Sequence, residues 1–329
     1  MAPIALRTTT TPAVRPLVTA VVNNYNYARY LHNAIGSVLR QSYDRIELIV
    51  VDDGSTDHSR EVIAAFGDKV KPILTENGGQ AHAVNLAAQA ATGDYVAFLD
   101  ADDFWLPTKV EKMVALARAR PDAGMLYHRY LNTNIHGHPM AGAEPPVLLP
   151  ADFRKAYLRS GGSYWHSVMS TLMLRRELLL RIVPIPTYAN REGADSVLEH
   201  CGILLSRIAA HPEALALRRL HGANLYATGR ETYDRTPELR LADVKRVEWR
   251  AFCVRQILHR HGIDLRIDLD RNEWRMVNLH QLGLASERQV AMAALRNSSY
   301  SLRERVRRLR AYLRYAARRT NGRQAPRQG

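Results

Sequence analysis

The sequence predicts an α/β fold, a layered domain with a mainly parallel sheet, followed by a helical C-terminal region. Over the first 130 residues, short apolar runs alternate with amphipathic helix patterns, as in strands joined by crossover helices. Polar clusters follow four of the predicted strands, and ligands of such sheets bind beyond the carboxyl ends of the strands. One cluster, in G-D-Y-V-A-F-L-D-A-D-D-F-W at residues 93–105, contains three carboxylates within four positions.

Apolar periodicity assigns each element in turn. Predicted strands are short apolar runs bounded by turn-forming residues: 17–22, 46–51, 70–75, 95–99, 124–130 and 170–174. Predicted helices carry apolar residues three and four positions apart: 31–39, 57–66, 80–91, 107–117, 177–182, 193–208, 239–261, 275–284 and 286–296. Ser55 or Thr56 is the expected N-cap of the second helix, and Ser286 that of the last.

Length and composition indicate one main domain with an appendage. The 329 residues are 46% hydrophobic and 24% charged, which is ordinary for a globular protein. With two cysteines, no apolar run near the roughly 20 residues that span a bilayer, and no signal peptide pattern, a cytoplasmic location is expected. Four segments are predicted: a flexible tail at 1–16, the α/β domain at 17–225, a helical region at 226–297, and a basic amphipathic helix with its tail at 298–329.

The acids after the fourth strand suggest a cation site. Alternation along an extended chain puts Asp100 and Asp102 on one side, where their oxygens are able to share a divalent ion. A solvated acidic turn is the alternative explanation. Polar clusters also follow the other three strands, at residues 23–26, 52–53 and 77–80. Four such clusters at one rim of the sheet favour a binding site.

Four motifs, taken in order, carry a resemblance to a known family. They are V-T-A-V-V-N-N-Y-N-Y from residue 18, V-V-D-D-G-S-T-D from 50, E-N-G-G-Q-A from 76 and F-L-D-A-D-D-F-W-L-P-T-K from 98. Together they resemble the inverting nucleotide-sugar glycosyltransferases of the large bacterial family 2, which have the GT-A fold. A weaker match continues through G-A-D at 193–195 and R-L-H-G-A-N at 219–224.

The resemblance implies roles for residues at the strand ends. Tyr25 would lie against the nucleotide base and Asp53 would accept a base N–H, while Asp100 would bind the ribose and Asp102 the metal. The alternatives are that Tyr25 is a core aromatic and that Asp53 caps the following helix. Asp52 is the better candidate for a purely structural task.

Three further residues are assigned to the site on weaker grounds. The family more often has proline where this chain has Asn23, which either adds a hydrogen bond to the base or accommodates a different turn. Gln80, in the third polar cluster, is expected to contact the nucleotide. His221 is expected to reach the metal or the diphosphate, with Arg219 nearby as a cation, although a lone histidine is more often structural.

Inverting transfer needs a base on the face of the sugar opposite the leaving group. The family pattern points to Asp195, which follows Ala194 where the family often has Glu-Asp. Glu192 and Glu199 are rival candidates, and a helix-capping role for Asp195 is the structural alternative.

The implied reaction is hexosyl transfer, with inversion, from a nucleotide diphosphate sugar to an acceptor hydroxyl. Mn²⁺ or Mg²⁺ would neutralise the leaving diphosphate. A UDP-sugar is favoured, although thymine and guanine also offer a proton to Asp53. A glycan or lipid-linked acceptor in cell-envelope or exopolysaccharide synthesis is expected. The alternatives from other classes are a nucleic-acid-binding protein and a membrane-docking protein with an inactive glycosyltransferase-like domain.

The basic charge is concentrated in the last segment. Eleven arginines and one acid follow residue 295, so this segment carries +10 of the net charge of +14. This distribution argues against nucleic acid as a partner, because the rim of the main domain offers acids. Apolar residues spaced four and three apart form one helix face: Leu302, Val306, Leu309, Leu313 and Ala316. A basic amphipathic helix on an anionic membrane explains both features; packing on the main domain and disorder are the alternatives.

Liposome co-sedimentation tests the membrane hypothesis. The full chain should pellet with anionic vesicles at low salt and much less with neutral ones, because each arginine near the surface contributes about 1 kcal/mol. A chain ending at Asn297 should stay in the supernatant. If both chains behave alike, the tail is not a membrane anchor.

Overall fold

The computed structural model describes residues 15–140, 148–164, 167–187, 193–222, 224, 236–297, 302, 303, 305–307, 309 and 310. The chain forms two compact units that interleave along the sequence. The first takes its described residues from 1–153, 166–226 and 249–265, and the second from 154–165, 227–248 and 266–329. Most of the predicted N-terminal tail lies outside the described residues. In the segment after residue 297, those that are described are helical.

One sheet of eight strands forms the centre of the first unit. In chain order the strands are β1 Val18–Asn24, β2 Ile46–Asp53, β3 Lys71–Thr75, β4 Tyr95–Asp100, β5 Phe104–Trp105, β6 Ala123–Thr133, β7 Met173–Arg175 and β8 Arg207–Arg219. They lie side by side in the order β3-β2-β1-β4-β7-β6-β8-β5. β1 to β4 pair in parallel, as do β6 and β8, whereas β7 and β5 are antiparallel to their neighbours. The predicted α/β fold with a mainly parallel sheet is confirmed.

Helices connect the strands and supply the C-terminal region. The first unit contains α1 Ala28–Leu39, α2 Ser59–Ala64, α3 Gln80–Ala90, α4 Lys109–Ala119, α6 Arg176–Ile182 and α7 Ala194–Leu205. The second contains α5 Arg154–Arg159, α9 Glu273–Gln281 and α10 Glu287–Arg296, and α8 Pro237–His259 contributes residues to both units. Within the part of the chain that is described, no helix is both long and apolar enough to cross a bilayer.

Each unit has its own apolar cluster. In the first, alternate residues of β1, β2 and β4 pack against α1 and α4, and Val22 and Leu99 are fully buried there. In the second, α9 and α10 meet through a small cluster centred on Met276 and Val290. Ser286 caps α10 in a capping box with Gln289, as predicted.

Two sequence-based predictions were wrong. The helix predicted to reach residue 208 ends at Leu205, and β8, which was not predicted, follows it. β8 is rich in alanine and contains Pro212, both unfavourable to strand prediction. Neither Ser55 nor Thr56 caps α2; the side chain of Asp57 instead accepts the amide of Ser59 at 3.0 Å.

Gly54 sets the course of the chain just after β2. Its φ of +77° lies in the left-handed region, which glycine adopts readily and other residues avoid. A Cβ built on Gly54 would also lie 2.4 Å from the backbone nitrogen of Asn77. Glycine therefore allows the loops after β2 and β3 to approach each other closely.

The stability of a Gly54→Ala variant tests this close approach, and Gly67→Ala is the control. Gly67 has a φ of +54°, but a Cβ there would meet nothing within 4 Å. We expect Gly67→Ala to cost about 1–2 kcal/mol from the backbone conformation alone. Gly54→Ala should cost roughly 1–3 kcal/mol more from overpacking. Urea denaturation measures both values, and equal losses would show that the contact with Asn77 relaxes freely.

Candidate active site at the strand ends

Strand alternation divides the polar residues at the strand ends between two faces of the sheet. Val22 of β1 lies opposite Leu99 of β4, and both belong to the main core. Asn23 and Asp100 form the next pair in register and therefore point to the opposite face. Asp53 takes the same face at the end of β2, because successive side chains of a strand alternate.

The polar residues on the core face form hydrogen bonds that stabilise the loop after β2. Asp52 is fully buried; it accepts hydrogen bonds from the Asn24 amide at 2.8 Å, the Ser55 backbone amide at 3.1 Å and Arg60 Nε at 3.1 Å. Asn24 Nδ2 also lies 3.1 Å from Ser55 Oγ. These contacts agree with the structural task expected of Asp52.

Tyr25 is displayed on the braced loop after β1. The residue is 45% exposed, so the alternative of a core aromatic is excluded. The neighbouring Asn26 has a φ of +58°, which asparagine tolerates better than most residues. Its Oδ1 accepts the Thr56 amide at 2.8 Å, and its own amide donates to Ser55 Oγ at 2.9 Å. The ring of Tyr25 is thus available to a ligand at the rim.

Asp53 is held by the glycines before α3. Its two carboxylate oxygens accept the amides of Gly78 at 2.9 Å and Gly79 at 2.7 Å. The residue is buried. Since Asp57 holds the start of α2, the alternative that Asp53 caps this helix is not supported. The loop that leads into α3 is instead fixed to the end of β2.

Asp100 and Gln80 connect β4 to the start of α7. Gln80 Nε2 donates to Asp100 Oδ1 at 3.5 Å, and Gln80 Oε1 accepts the amides of Gly193 at 3.1 Å and Ala194 at 3.0 Å. Burial raises the pKa of Asp100 well above its usual value, and the charges of Asp102, Asp103 and Asp195 raise it further. Asp100 and Asp195 are therefore close enough to interact.

Three carboxylates, Asp100, Asp102 and Asp103, form an acid cluster at the end of β4. Asp103 connects this cluster to other elements of the first unit. It is buried, accepts the Ser170 hydroxyl at 2.6 Å and accepts the backbone amide of Arg219 at 3.0 Å. Burial and the charge of Asp102 raise its pKa to about 7. The Ser170 hydroxyl also accepts the amide of Asp100 at 3.1 Å, and its carbonyl accepts Trp105 Nε1 at 2.8 Å. Asp103 is thus turned away from the rim.

Asp102 is oriented by the turn after β8. Its Oδ2 lies 3.1 Å from His221 Nε2 and 3.1 Å from Asn224 Nδ2. Asn224 closes the turn by accepting the His221 amide at 2.8 Å and donating to the Arg219 carbonyl at 2.8 Å. The imidazole of His221 is therefore hydrogen-bonded directly to the Asp102 carboxylate.

Two tyrosine rings pack against His221. Its side chain is only 2% exposed, and its ring lies 5.5 Å from that of Tyr27 and 5.0 Å from that of Tyr30. Burial and the nearby acids raise the pKa of Tyr27 to about 12, so its hydroxyl stays a hydrogen-bond donor. Arg219 stacks on Tyr30 and Phe104, with its guanidinium carbon 4.7 and 5.3 Å from the two ring centroids.

The described candidates for a catalytic base accept hydrogen bonds from different backbone amides. Asp195 lies in the first turn of α7, and its Oδ1 accepts the amide of Ser196 at 2.7 Å. Glu199 is buried on the same helix and accepts the Ser167 amide at 2.8 Å. Glu192 lies outside the described residues. Of the two described candidates, Glu199 has the clearer structural task.

Sequence reasoning missed three residues of this site. Tyr27, Ser170 and Asn224 each contact or face the acid cluster. Tyr27 ends the Y-N-Y segment and Asn224 ends R-L-H-G-A-N, so both lie within motifs that the sequence displays. Ser170 has no comparable sequence pattern around it.

The acids have the chemistry of a site for a hard divalent cation. In the described part of the chain, no three His, Cys, Asp or Glu side chains form a complete metal site. Mg²⁺ is commonly held by one or two carboxylates together with substrate phosphates, not by a protein cage. The crowding that raises the pKa of Asp100 would be relieved by a cation. The residues therefore fit a cation whose remaining ligands come from a phosphorylated substrate.

Comparison with known proteins agrees with this architecture. The solved structure of S. aureus TarS 1–349 in complex with UDP-GlcNAc superposes with a TM-score of 0.54 at 18% identity, covering 93% of this chain and 92% of that one. The mannosyltransferase PcManGT from Pyrobaculum calidifontis, in complex with GDP-Man and Mn²⁺, gives 0.50 at 21% identity, covering 95% and 89%. The fold is that of a GT-A glycosyltransferase.

Sequence relatives define the family. Residues 19–182 match the family described as Glycosyl transferase family 2. An uncharacterized glycosyltransferase of Nostoc sp. is 36% identical over 279 residues, covering 83% of this chain and 85% of the relative. The putative teichuronic acid biosynthesis glycosyltransferase TuaG of Bacillus subtilis is 39% identical over 110 residues, 32% of this chain and 44% of that protein. The chain belongs to glycosyltransferase family 2 and is a transferase enzyme, as the motifs implied.

Arg219 provides a test of how the acid cluster is supported. Its Nε donates to the Asp102 carbonyl at 3.0 Å and its Nη1 to the Ile135 carbonyl at 2.7 Å. Arg219→Lys keeps the charge but cannot reproduce this forked donation, so it should destabilise the protein by about 1–3 kcal/mol.

The matched control is Arg29→Lys. The guanidinium carbon of Arg29 lies 4.4 Å from the centroid of the same Tyr30 ring, but Arg29 is exposed, so its replacement should change stability by about 0.5 kcal/mol or less. Both values come from urea unfolding followed by tryptophan fluorescence. Because Arg29 also donates a hydrogen bond to the Tyr30 hydroxyl, equal losses would mean that the contact with Tyr30, and not the carbonyl contacts, is what Arg219 contributes.

Proposed function

We propose that this enzyme transfers a hexosyl group, with inversion, from a nucleotide diphosphate sugar to an acceptor hydroxyl, and that the rim of β1, β2 and β4 binds the donor. One observation carries the donor site. Asn23 is 9% exposed, and among the described residues neither its side-chain nitrogen nor its oxygen has a hydrogen-bond partner. An unpaired buried amide is costly. A nucleoside bound beside Asp100 would offer this amide both a donor and an acceptor.

The neighbouring residues suit the parts of a nucleotide. Tyr25 presents an exposed ring on which a base can stack, and Asp53 offers carboxylate lone pairs to a base N–H. Asp100 is the acceptor for ribose hydroxyls. A UDP-sugar remains the favoured donor, and a GDP-sugar is the alternative, since the two structural neighbours carry UDP-GlcNAc and GDP-Man.

Asp102 is the proposed protein ligand of Mn²⁺ or Mg²⁺. When bound, the ion would neutralise charge on the leaving diphosphate. His221 is the second proposed protein ligand of the ion, because its Nε2 lies 3.1 Å from Asp102 Oδ2. Asn224 donates to the Asp102 carboxylate and Arg219 to the Asp102 backbone carbonyl, so Asp102 is oriented before the substrate arrives.

Asp195 is the proposed general base. Its charge raises the pKa of Asp100, which supports a position beside the proposed donor site, and the rival Glu199 accepts the Ser167 amide. Its carboxylate would take the proton of the acceptor hydroxyl as the hydroxyl attacks the sugar.

The acceptor is proposed to be a glycan or lipid-linked molecule of the cell envelope or an exopolysaccharide. The similarity to TuaG, named for teichuronic acid biosynthesis, supports this class. A cytoplasmic enzyme, peripheral on the inner face of the plasma membrane through its basic C-terminal segment, fits such an acceptor. Leu302 at the start of that segment is 67% exposed, which leaves it accessible to a membrane surface.

A donor panel tests this proposal. UDP-GlcNAc, UDP-glucose and GDP-mannose are incubated with the full chain and Mn²⁺ or Mg²⁺, and release of nucleoside diphosphate is measured. We expect slow metal-dependent hydrolysis of one donor. Asp102→Asn should lower its rate by about 100-fold or more. No turnover with any donor would favour the alternative of an inactive docking domain, and an active Asp102→Asn enzyme would move the cation elsewhere.

The base is tested on the same donor. Asp195→Asn should lower turnover by about 10²- to 10⁴-fold while binding the nucleoside diphosphate normally, because the base and the leaving group occupy separate parts of the site. Asp68→Asn, an exposed acid outside the site, is the control. Retained turnover in Asp195→Asn, with loss in Glu192→Gln or Glu199→Gln, would reassign the base.

A further inference from the structure

Gln80 is the first residue of α3, yet its side chain serves another helix. α7 begins at Ala194 after Gly193, which has a φ of +82° and no side chain with which to cap the helix. The amides of Gly193 and Ala194 instead donate to Gln80 Oε1 at 3.1 and 3.0 Å. Free amides at a helix start need such an acceptor, and Gln80 supplies it from a position 113 residues earlier in the chain.

The other end of the same amide faces the donor side of the site. Gln80 Nε2 donates to Asp100 Oδ1 at 3.5 Å, and Asp195 follows directly after the two amides that Oε1 accepts. A single planar amide therefore spans the gap between Asp100 and the turn that carries Asp195. Both lone pairs of Oε1 are used within the protein, which argues against a main role for this oxygen in holding a ligand.

The rest of α7 is fixed independently of Gln80. Val197, Leu198 and Cys201 are fully buried, and Glu199 accepts the Ser167 amide from the following helical turn. Loss of the Gln80 contact would therefore displace the first turn of α7 without removing the helix.

We propose that Gln80 is a positioning residue that sets the distance between Asp100 and Asp195, and so aligns donor and acceptor for transfer. This inference rests on the proposed function, in which Asp100 binds the donor and Asp195 is the base. Because transfer requires the two reactants to be held in line, a displacement near 1 Å lowers the rate by about 100-fold. Gln80 thus acts on the rate through Asp195 and need not touch the substrate.

Two substitutions separate the two ends of the amide. Gln80→Leu removes both contacts in a side chain of similar size. Gln80→Glu keeps oxygens for the Gly193 and Ala194 amides, but loses the donor to Asp100 and places a like charge beside it. Gln89→Leu makes the first substitution at an exposed position of the same helix and is the matched control.

The readouts are kcat and KM for hydrolysis of the donor identified by the panel, Kd for its nucleoside diphosphate by calorimetry, and the melting temperature. Gln80→Leu should lower kcat by about 100-fold while Kd changes by about threefold or less, and Gln89→Leu should match the wild type. Gln80→Glu keeps the contacts with α7 but loses the one with Asp100, so its kcat should lie between those of Gln80→Leu and the wild type. A direct ligand contact predicts the reverse, a Kd weakened by about tenfold with kcat retained.

Failure of this inference differs from failure of the proposed function. An inactive wild type, or an active Asp195→Asn enzyme, would overturn the proposed function. An active wild type and an inactive Asp195→Asn enzyme, with Gln80→Leu indistinguishable from Gln89→Leu, would overturn the positioning role alone. If Gln80→Leu does not fold, Gln80→Ala decides: a kcat lowered by about 100-fold with Kd within about threefold of the wild type supports the role, and a retained kcat overturns it.

Discussion

Repulsion among the three carboxylates after β4 is the constraint on which the site depends. Each acid accepts hydrogen bonds from a different part of the first unit. Asp103 is held by Ser170 and the Arg219 amide, Asp102 by the turn after β8, and Asp100 by Gln80 of α3. Hydrogen-bond donors therefore reach all three acids, of which Asp103 is buried and Asp100 and Asp102 are partly exposed. The raised pKa values of Asp100 and Asp103 show that repulsion and burial remain strong even so.

The site is predictable from the sequence where local patterns decide the geometry. β1, β2 and β4 are short buried strands whose apolar runs end at polar residues, and parallel strands bring those ends to one edge. Alternation then separates Asp52 from Asp53 and Asn23 from Asn24 without knowledge of any contact. The four motifs and the family they resemble follow from this part of the chain.

What the sequence did not predict depends on contacts between distant residues. The Arg219 amide meets Asp103 across 116 positions, Asn224 meets Asp102 across 122, and Gln80 meets Gly193 across 113. No local periodicity encodes such pairs. β8, which delivers two of them, also has an irregular register against β6, so its strand pattern is interrupted. Ser170 and Asn224 were therefore missed, whereas the acids that they contact were already candidates.

Dependence on β8 also fixes when the site can form during synthesis. A ribosome adds roughly 5–20 residues per second, so the 122 positions between Asp102 and Asn224 correspond to roughly 6–24 s of translation. Over that interval the nascent chain already contains the first four strands, but Asp102 lacks the turn that orients it. Completion of the acid cluster is thus a late event in folding. Catalytic competence in a newly made chain reports on the whole first unit, and not on its N-terminal half.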